Sequence, residues 1–321
     1  MKRFLMTSAL VLTTATGAAF AQSNDSSSQL RTQVANWIGG SSYNVDVDSL
    51  TDDQIAAYHR DGFVAPIDIF AADEIAAIRT EIEHAEQSWP QALDGPGRNN
   101  AHLALPVLDR IVHDNRILDA VEDVIGGHIL AAGTTLFIKE PDSSGFISWH
   151  QDARYIGMEP HDWVTGWLAI SNVTEENGCM QMISGSHVAP LKDHIDTFGA
   201  DNLLTRGQTV PDVDESMAVP VPLAPGQMSL HHPRVIHGSG PNRSPERRIG
   251  FALQSYIAPS VKQVHGEMYV QLARGSDDYG YHQEAPRVTA AMSAEATALR
   301  ADANRKLSDI FYAGSDRIGK F

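Results

Sequence analysis

The chain predicts an α+β fold, a jelly roll or sandwich of short strands flanked by helices, and three observations point to it. Helical apolar spacing dominates residues 50–125. Between 129 and 260 the pattern shortens to brief apolar runs, most of them bounded by Pro, Gly, Asn or Ser, as in a strand-rich region. A final helical pattern then runs from Met292 to Phe311.

In the first helical region, Thr51-Asp52-Asp53-Gln54 reads as a capping box that opens a helix ending near Gly62. Asp73–Gln87 places Ile75, Ile78, Ile82 and Ala85 on one face and stops before Pro90. Ile117, Leu118, Val121, Val124 and Ile125 form a third face, closed by Gly126-Gly127. The strand candidates that follow are Ile129–Ile138, Val164–Ile170, Cys179–Ile183, Val219–Leu223, Gln227–Leu230 and Ile249–Ile257.

Composition sets limits on function. The 321 residues are 42% apolar and 20% charged, enough for one large core and unlike a disordered chain. Lys and Arg number 24 against 40 Asp and Glu, a formal charge of −16, so a phosphate backbone would be repelled and no nucleic-acid partner is expected. The single cysteine, Cys179, excludes an internal disulfide and a cysteine-based zinc or iron–sulfur site. It reads as a small buried hydrophobe.

Met1–Ala21 has two early cations, a short apolar run and a closing Ala19-Phe20-Ala21, the pattern of a signal peptide. Residues 22–49 read as a linker and extension, and 50–321 as one folded domain. Export to the periplasm follows from the signal reading; the alternative is a cytoplasmic protein with an uncleaved extension. No other stretch approaches the roughly 20 apolar residues of a membrane span. Nothing in the sequence speaks to oligomeric state.

His-x-Asp occurs at His59/Asp61, His150/Asp152 and His194/Asp196, so context must choose among them. His59 ends an amphipathic helix and His194 sits in a polar stretch, both surface settings. His150 follows Gly145-Phe146-Ile147-Ser148-Trp149, a strand-like approach. In extended backbone His150 and Asp152 share one side and Gln151 turns away. His237, before the turn Gly238-Ser239-Gly240-Pro241-Asn242, is the best third ligand. Two His and one carboxylate on one face leave positions open on an octahedral ion, as in Fe(II) oxygenases. The alternative is that these histidines are ordinary hydrogen-bonded members of a β-core.

Arg248 strengthens the metal reading. Along Arg248–Gln254, Ile249, Phe251 and Leu253 share one face, which should pack against helices. Arg248, Gly250, Ala252 and Gln254 share the other, leaving volume for a ligand carboxylate that the guanidinium could clamp. A structural salt bridge is the alternative for Arg248. Arg247 falls at the strand's outer end.

Ser148-Trp149-His150-Gln151-Asp152, Asn177-Gly178-Cys179-Met180 with Gly185-Ser186-His187, and His237-Gly238-Ser239-Gly240-Pro241-Asn242 with Arg248 occur in one order. Together they resemble the phytanoyl-CoA dioxygenase family of Fe(II)/2-oxoglutarate oxygenases. Leu50-Thr51-Asp52-Asp53-Gln54 and Asp61-Gly62-Phe63-Val64 also resemble that family's start, and the likeness runs from about Leu50 to Tyr312. The resemblance implies a double-stranded β-helix (jelly-roll, cupin-like) core with flanking helices. It implies that His150, Asp152 and His237 hold Fe(II), and that Arg248 holds the distal carboxylate of the cosubstrate 2-oxoglutarate. Ser239, Trp167 and Lys139 match positions around that cosubstrate. For Trp167 a plain core aromatic is the alternative, and for Lys139 a solvated surface amine. The implied reaction consumes O2 and 2-oxoglutarate, releases succinate and CO2, and hydroxylates a small-molecule substrate. Asp152 favours hydroxylation over halogenation, since related halogenases carry a small residue there.

The substrate is not legible. Arg154, Tyr155, Trp163, Gln181 and His232 flank the motifs as pocket-lining or packing residues, and at most one of His231 and His232 faces inward. Two other functions use the same residues: a zinc-type metallohydrolase, which has no need of Arg248, and a non-catalytic jelly-roll binding protein, which has no need of intact ligands.

Overall fold

The computed structural model describes residues 50–317; the signal-peptide and linker expectations for 1–21 and 22–49 lie outside the described residues. The first helix, α1 (Asp52–Asp61), starts as the sequence predicts. Thr51 Oγ1 accepts from Gln54 N (3.2 Å), and Gln54 Oε1 accepts from Thr51 N (2.9 Å). Gly62 ends it at φ +85, where a Cβ would lie 2.3 Å from the Val235 side chain.

Helices α2 (Ala72–Ser88), α3 (Pro106–Val112) and α4 (Asn115–Ile125) follow. Ile75, Ile78, Ile82 and Ala85 of α2 are buried, as their spacing requires. The α3 helix has too short an apolar stripe to be read from periodicity; it begins with Pro106, whose missing N–H costs nothing at a helix start.

Two sheets form the sandwich. The large sheet contains β1 (Phe63–Asp68), β2 (Ile129–Ala131), β3 (Thr135–Lys139), β5 (Trp163–Ala169), β8 (Gln227–His231), β10 (Arg248–Ile257) and β11 (Tyr269–Arg274). Its order is β1-β8-β5-β10-β2-β11, with β3 also pairing β10 and a two-residue strand, Gln283–Glu284, beyond β11. The small sheet has the order β7 (Ala218–Val221), β6 (Met180–Ile183), β9 (His237–Ser239), β4 (Ile147–His150). After β4 comes α5 (Asp152–Ile156), and α6 (Ala294–Phe311) closes the chain, capped by Ser293 Oγ accepting from Ala296 N.

The structure divides the run Ile129–Ile138 into β2 and β3, and adds β1 and β11, which the sequence reading lacked. The β1 strand carries Pro66, which cannot donate to a ladder, and lies at a sheet edge, where that loss is tolerated.

One apolar cluster lies between the sheets, with Trp167, Ala169 and Ala252 from the large sheet and Met180, Met182 and Val221 from the small one. The other face of β10 buries Ile249, Phe251 and Leu253, each at most 1% exposed. The alternation predicted for this strand holds as far as Gln254. Its register against β5 then shifts between Leu253 and Tyr256, so Tyr256 takes the outer face and its hydroxyl donates to Val112 O of α3 (2.8 Å). Replacing Phe251 by Ala should leave a dry void in this layer and cost about 3–5 kcal/mol. Urea unfolding checks it: the midpoint should fall while the slope stays unchanged.

Candidate metal centre

Strand pairing places the two histidines. In the antiparallel pair β4–β9, His237 stands directly opposite His150, and their rings lie 4.1 Å apart. Asp152 arrives differently from the all-strand reading. Gln151 is still extended (φ −122, ψ 126), but Asp152 is the first residue of α5. One extended residue is enough to keep His150 and Asp152 on a common side. Gln151 turns away as expected, its side chain donating to Arg234 O (2.6 Å) and accepting from Lys192 N (2.8 Å).

The three residues are buried, with one potential ligand atom from each within 4.8 Å of the others. His150 Nε2 lies 3.4 Å and His237 Nε2 3.8 Å from Asp152 Oδ1. Backbone carbonyls only accept, so His150 Nδ1 donates to Ser148 O (2.8 Å) and His237 Nδ1 to Val235 O (3.0 Å). With Nδ1 so engaged, each ring turns its Nε2 toward Asp152. Burial, followed by the neighbouring His150, keeps His237 well below the usual histidine range. Two imidazole nitrogens and a carboxylate, buried and convergent, fit a divalent cation that accepts nitrogen and oxygen ligands.

Three further side chains surround Asp152. Tyr155 OH donates to Oδ1 (2.9 Å), and burial raises the phenol well above 10, so it stays a donor. Thr165 Oγ1 lies 2.9 Å from Oδ2 and 2.8 Å from Gln254 O. His231 Nε2 lies 3.5 Å from Oδ2, with its ring 4.7 Å from that of His237. Thr165 is not among the residues the sequence singles out, whereas of His231 and His232 at most one is expected inward, and it is His231. Strand parity allows one of the pair inward, and the path of β8 decides which; His232 turns instead toward His187, 5.3 Å away. Nor is His194 purely a surface residue, since its Nε2 accepts from Gln151 N (2.9 Å).

The same cavity, about 450 Å3 of unfilled space, contains Arg248, Ser239 and Trp167 away from the triad. Arg248 is 1% exposed, and its Nε and Nη1 have no hydrogen-bond partner among the described residues. Its guanidinium lies over the Trp167 ring, 4.7 Å from the centroid. Part of the volume expected at Gly250 is taken by that indole: a Cβ there would meet Trp167 Cζ2 at 1.8 Å. Unpaired buried guanidinium donors call for a carboxylate, the group a 2-oxo diacid would bring.

Lys139 is not a surface amine. It pairs across from Arg248 in β3–β10, is 1% exposed, and its Nζ donates to Ser239 Oγ and Gly240 O. Ser239 Oγ in turn donates to Gly178 O (3.0 Å). Burial, then the charge of Arg248, pushes the Lys139 ammonium down to about 6. Cys179 is buried as expected, and burial raises its thiol.

The profile of the phytanoyl-CoA dioxygenase (PhyH) family matches residues 58–250. A Stutzerimonas stutzeri protein named "Probable alpha-ketoglutarate-dependent hypophosphite dioxygenase" is 30% identical over 159 residues, covering 48% of this chain and 55% of that protein. The peroxisomal phytanoyl-CoA dioxygenase of Bos taurus is 35% identical over 135 residues, 40% of each chain. The chain thus spans about half the length of the curated relatives it matches. Among solved structures, the apo form of the non-heme monooxygenase ThoJ superposes with a TM-score of 0.73 at 30% identity, over 83% of this chain and 100% of that one.

The depressed Lys139 fixes a sign for stability. Between pH 6 and the unfolded value near 10.5 the unfolded chain binds the extra proton, so wild-type stability rises with pH across that window. Lys139→Met should therefore raise the urea midpoint of the ligand-free chain at pH 6 or below. The gain should shrink toward pH 10, as read from unfolding curves across the range.

Proposed function

The chain belongs to the phytanoyl-CoA dioxygenase family of Fe(II)/2-oxoglutarate oxygenases, and from that premise we propose that it hydroxylates a C–H bond of a small molecule, with release of succinate and CO2. One observation carries the reading: the buried His150/Asp152/His237 cluster and the unpaired buried donors of Arg248 share one cavity. A zinc hydrolase would leave Arg248 without a purpose, and a plain binding protein would not need three convergent ligands. Asp152, filling the carboxylate position, supports hydroxylation.

In this reading His150 Nε2, Asp152 and His237 Nε2 hold Fe(II), which supplies the oxygen-activating chemistry when bound. Arg248 anchors the distal carboxylate of 2-oxoglutarate, Trp167 forms a wall of its site, and Lys139 with Ser239 completes the polar end. Tyr155 and Thr165 hold the Asp152 carboxylate in orientation. The buried setting keeps bulk water away from the reacting groups.

Anaerobic addition of Fe(II) and 2-oxoglutarate should produce a weak visible charge-transfer band. His150→Ala should lose the band and most of the bound iron. Arg248→Leu should keep the iron but need roughly 30-fold more 2-oxoglutarate, equivalent to about 2 kcal/mol. If no band appears and His150→Ala leaves metal content unchanged, the hydroxylase reading fails.

A further inference from the structure

A second cavity adjoins the metal centre, and no role has been given to it. About 570 Å3 of non-atom space, part of it open to solvent, lies within its walls, compared with about 450 Å3 counted in the same way at the metal centre. The two share Gln254 as a wall. They also meet through an aromatic pair: Tyr155, whose hydroxyl holds Asp152, packs edge-on against Phe311 with centroids 5.5 Å apart, and Phe311 lines the second cavity. The register shift in β10 places consecutive residues, Gln254 and Ser255, along this cavity, where regular alternation would have sent Ser255 outward.

The walls specify a chemistry. Leu103, Ala131, Val270, Ala303, Ile310 and Phe311 make them mostly apolar. Among the described residues, no lining side chain is an acid, a lysine or an arginine. His102 also lines the cavity; burial pushes its imidazole down to about 3, so it is neutral there. An ion moved into such walls would lose its hydration without a countercharge. The available polar groups include both amide N–H donors, on Gln254 and Asn100, and carbonyl acceptors. Asn100 Nδ2 donates one N–H to Asn304 Oδ1 (3.0 Å) and keeps a second. Gln271 Nε2 donates to Pro286 O (3.0 Å), while its Oε1 is buried without a partner among the described residues. Such carbonyl oxygens are satisfied by an incoming O–H or N–H.

We infer that this second cavity is the substrate compartment, and that it takes an uncharged, mostly apolar molecule carrying a neutral group that both donates and accepts hydrogen bonds, such as an amide or a hydroxyl. The inference rests on the oxygenase reading for its catalytic meaning. Its geometry separates the two ends of the site: the carboxylate-seeking Arg248 lies in the metal cavity, while the neutral walls lie beyond Gln254 and Tyr155.

The test uses three probes on one skeleton: cyclohexanecarboxamide, cyclohexanecarboxylate and cyclohexylmethylammonium. Each is titrated into the full chain loaded with Zn(II) and 2-oxoglutarate, with binding followed by calorimetry. The amide should bind about tenfold or more tighter than either ion. Ala303→Phe fills the cavity from α6 and should weaken amide binding about tenfold or more, with 2-oxoglutarate affinity unchanged. Leu307→Trp, half-buried one turn further along α6, gives the same readout if Ala303→Phe fails to fold. Absence of amide binding, ions that bind as tightly as the amide, or a folded filling variant with unchanged amide affinity would each overturn the assignment. Loss of 2-oxoglutarate binding would instead sink the oxygenase reading, and the same three probes titrated into the metal-free chain would still decide the cavity.

Discussion

His150 and His237 face each other across one antiparallel strand pair, and the rest of the site is built on that register. A one-residue slip of β9 against β4 would turn one imidazole to the opposite face of the small sheet. The register is held on both sides of β9, because His237 also pairs with Met182 of β6. Each ring is then oriented by a carbonyl two residues earlier in its own chain, Ser148 O for His150 and Val235 O for His237. Backbone geometry thus selects both the position and the tautomer of the two nitrogens before any ion binds.

The polar side chains in this sandwich carry an energetic cost that its apolar layer must offset. Arg248 and Lys139 are each 1% exposed and lie on adjacent strands, so two cationic groups repel in a low-dielectric setting. The chain tolerates this by lowering the proton affinity of Lys139 and stacking Arg248 over Trp167. Such a departure from ordinary packing is typical of a site shaped for a ligand, because a bound carboxylate relieves the penalty. The methionines, alanines and valine packed between the sheets supply the opposite, stabilising contribution.

Legibility in the sequence followed the range of the interactions involved. The helices α1, α2 and α4 were readable because their caps and apolar stripes are local. The inward set Arg248, Gly250, Ala252 and Gln254 was readable because period-2 alternation needs only one strand. The shift after Leu253 was not, since a bulge is defined by the partner strand. Lys139 was ambiguous for the same reason: nothing near it in sequence says that β3 lies beside Arg248. Thr165 is not legible in the sequence, and His231 only as one of two adjacent candidates, because each reaches Asp152 only through the folding of distant strands.

The sequence by itself determined the mixed helical and stranded character, the order of the motifs, and the identities of His150, Asp152, His237 and Arg248 as a candidate set. Periodicity and residue chemistry carry that information locally. Only the tertiary structure decided that Asp152 starts a helix instead of continuing a strand, that Lys139 is buried against Ser239, and that a neutral cavity adjoins the triad through Gln254 and Tyr155. These depend on pairings between residues up to about a hundred positions apart or more, and no local pattern encodes which strand will lie alongside which.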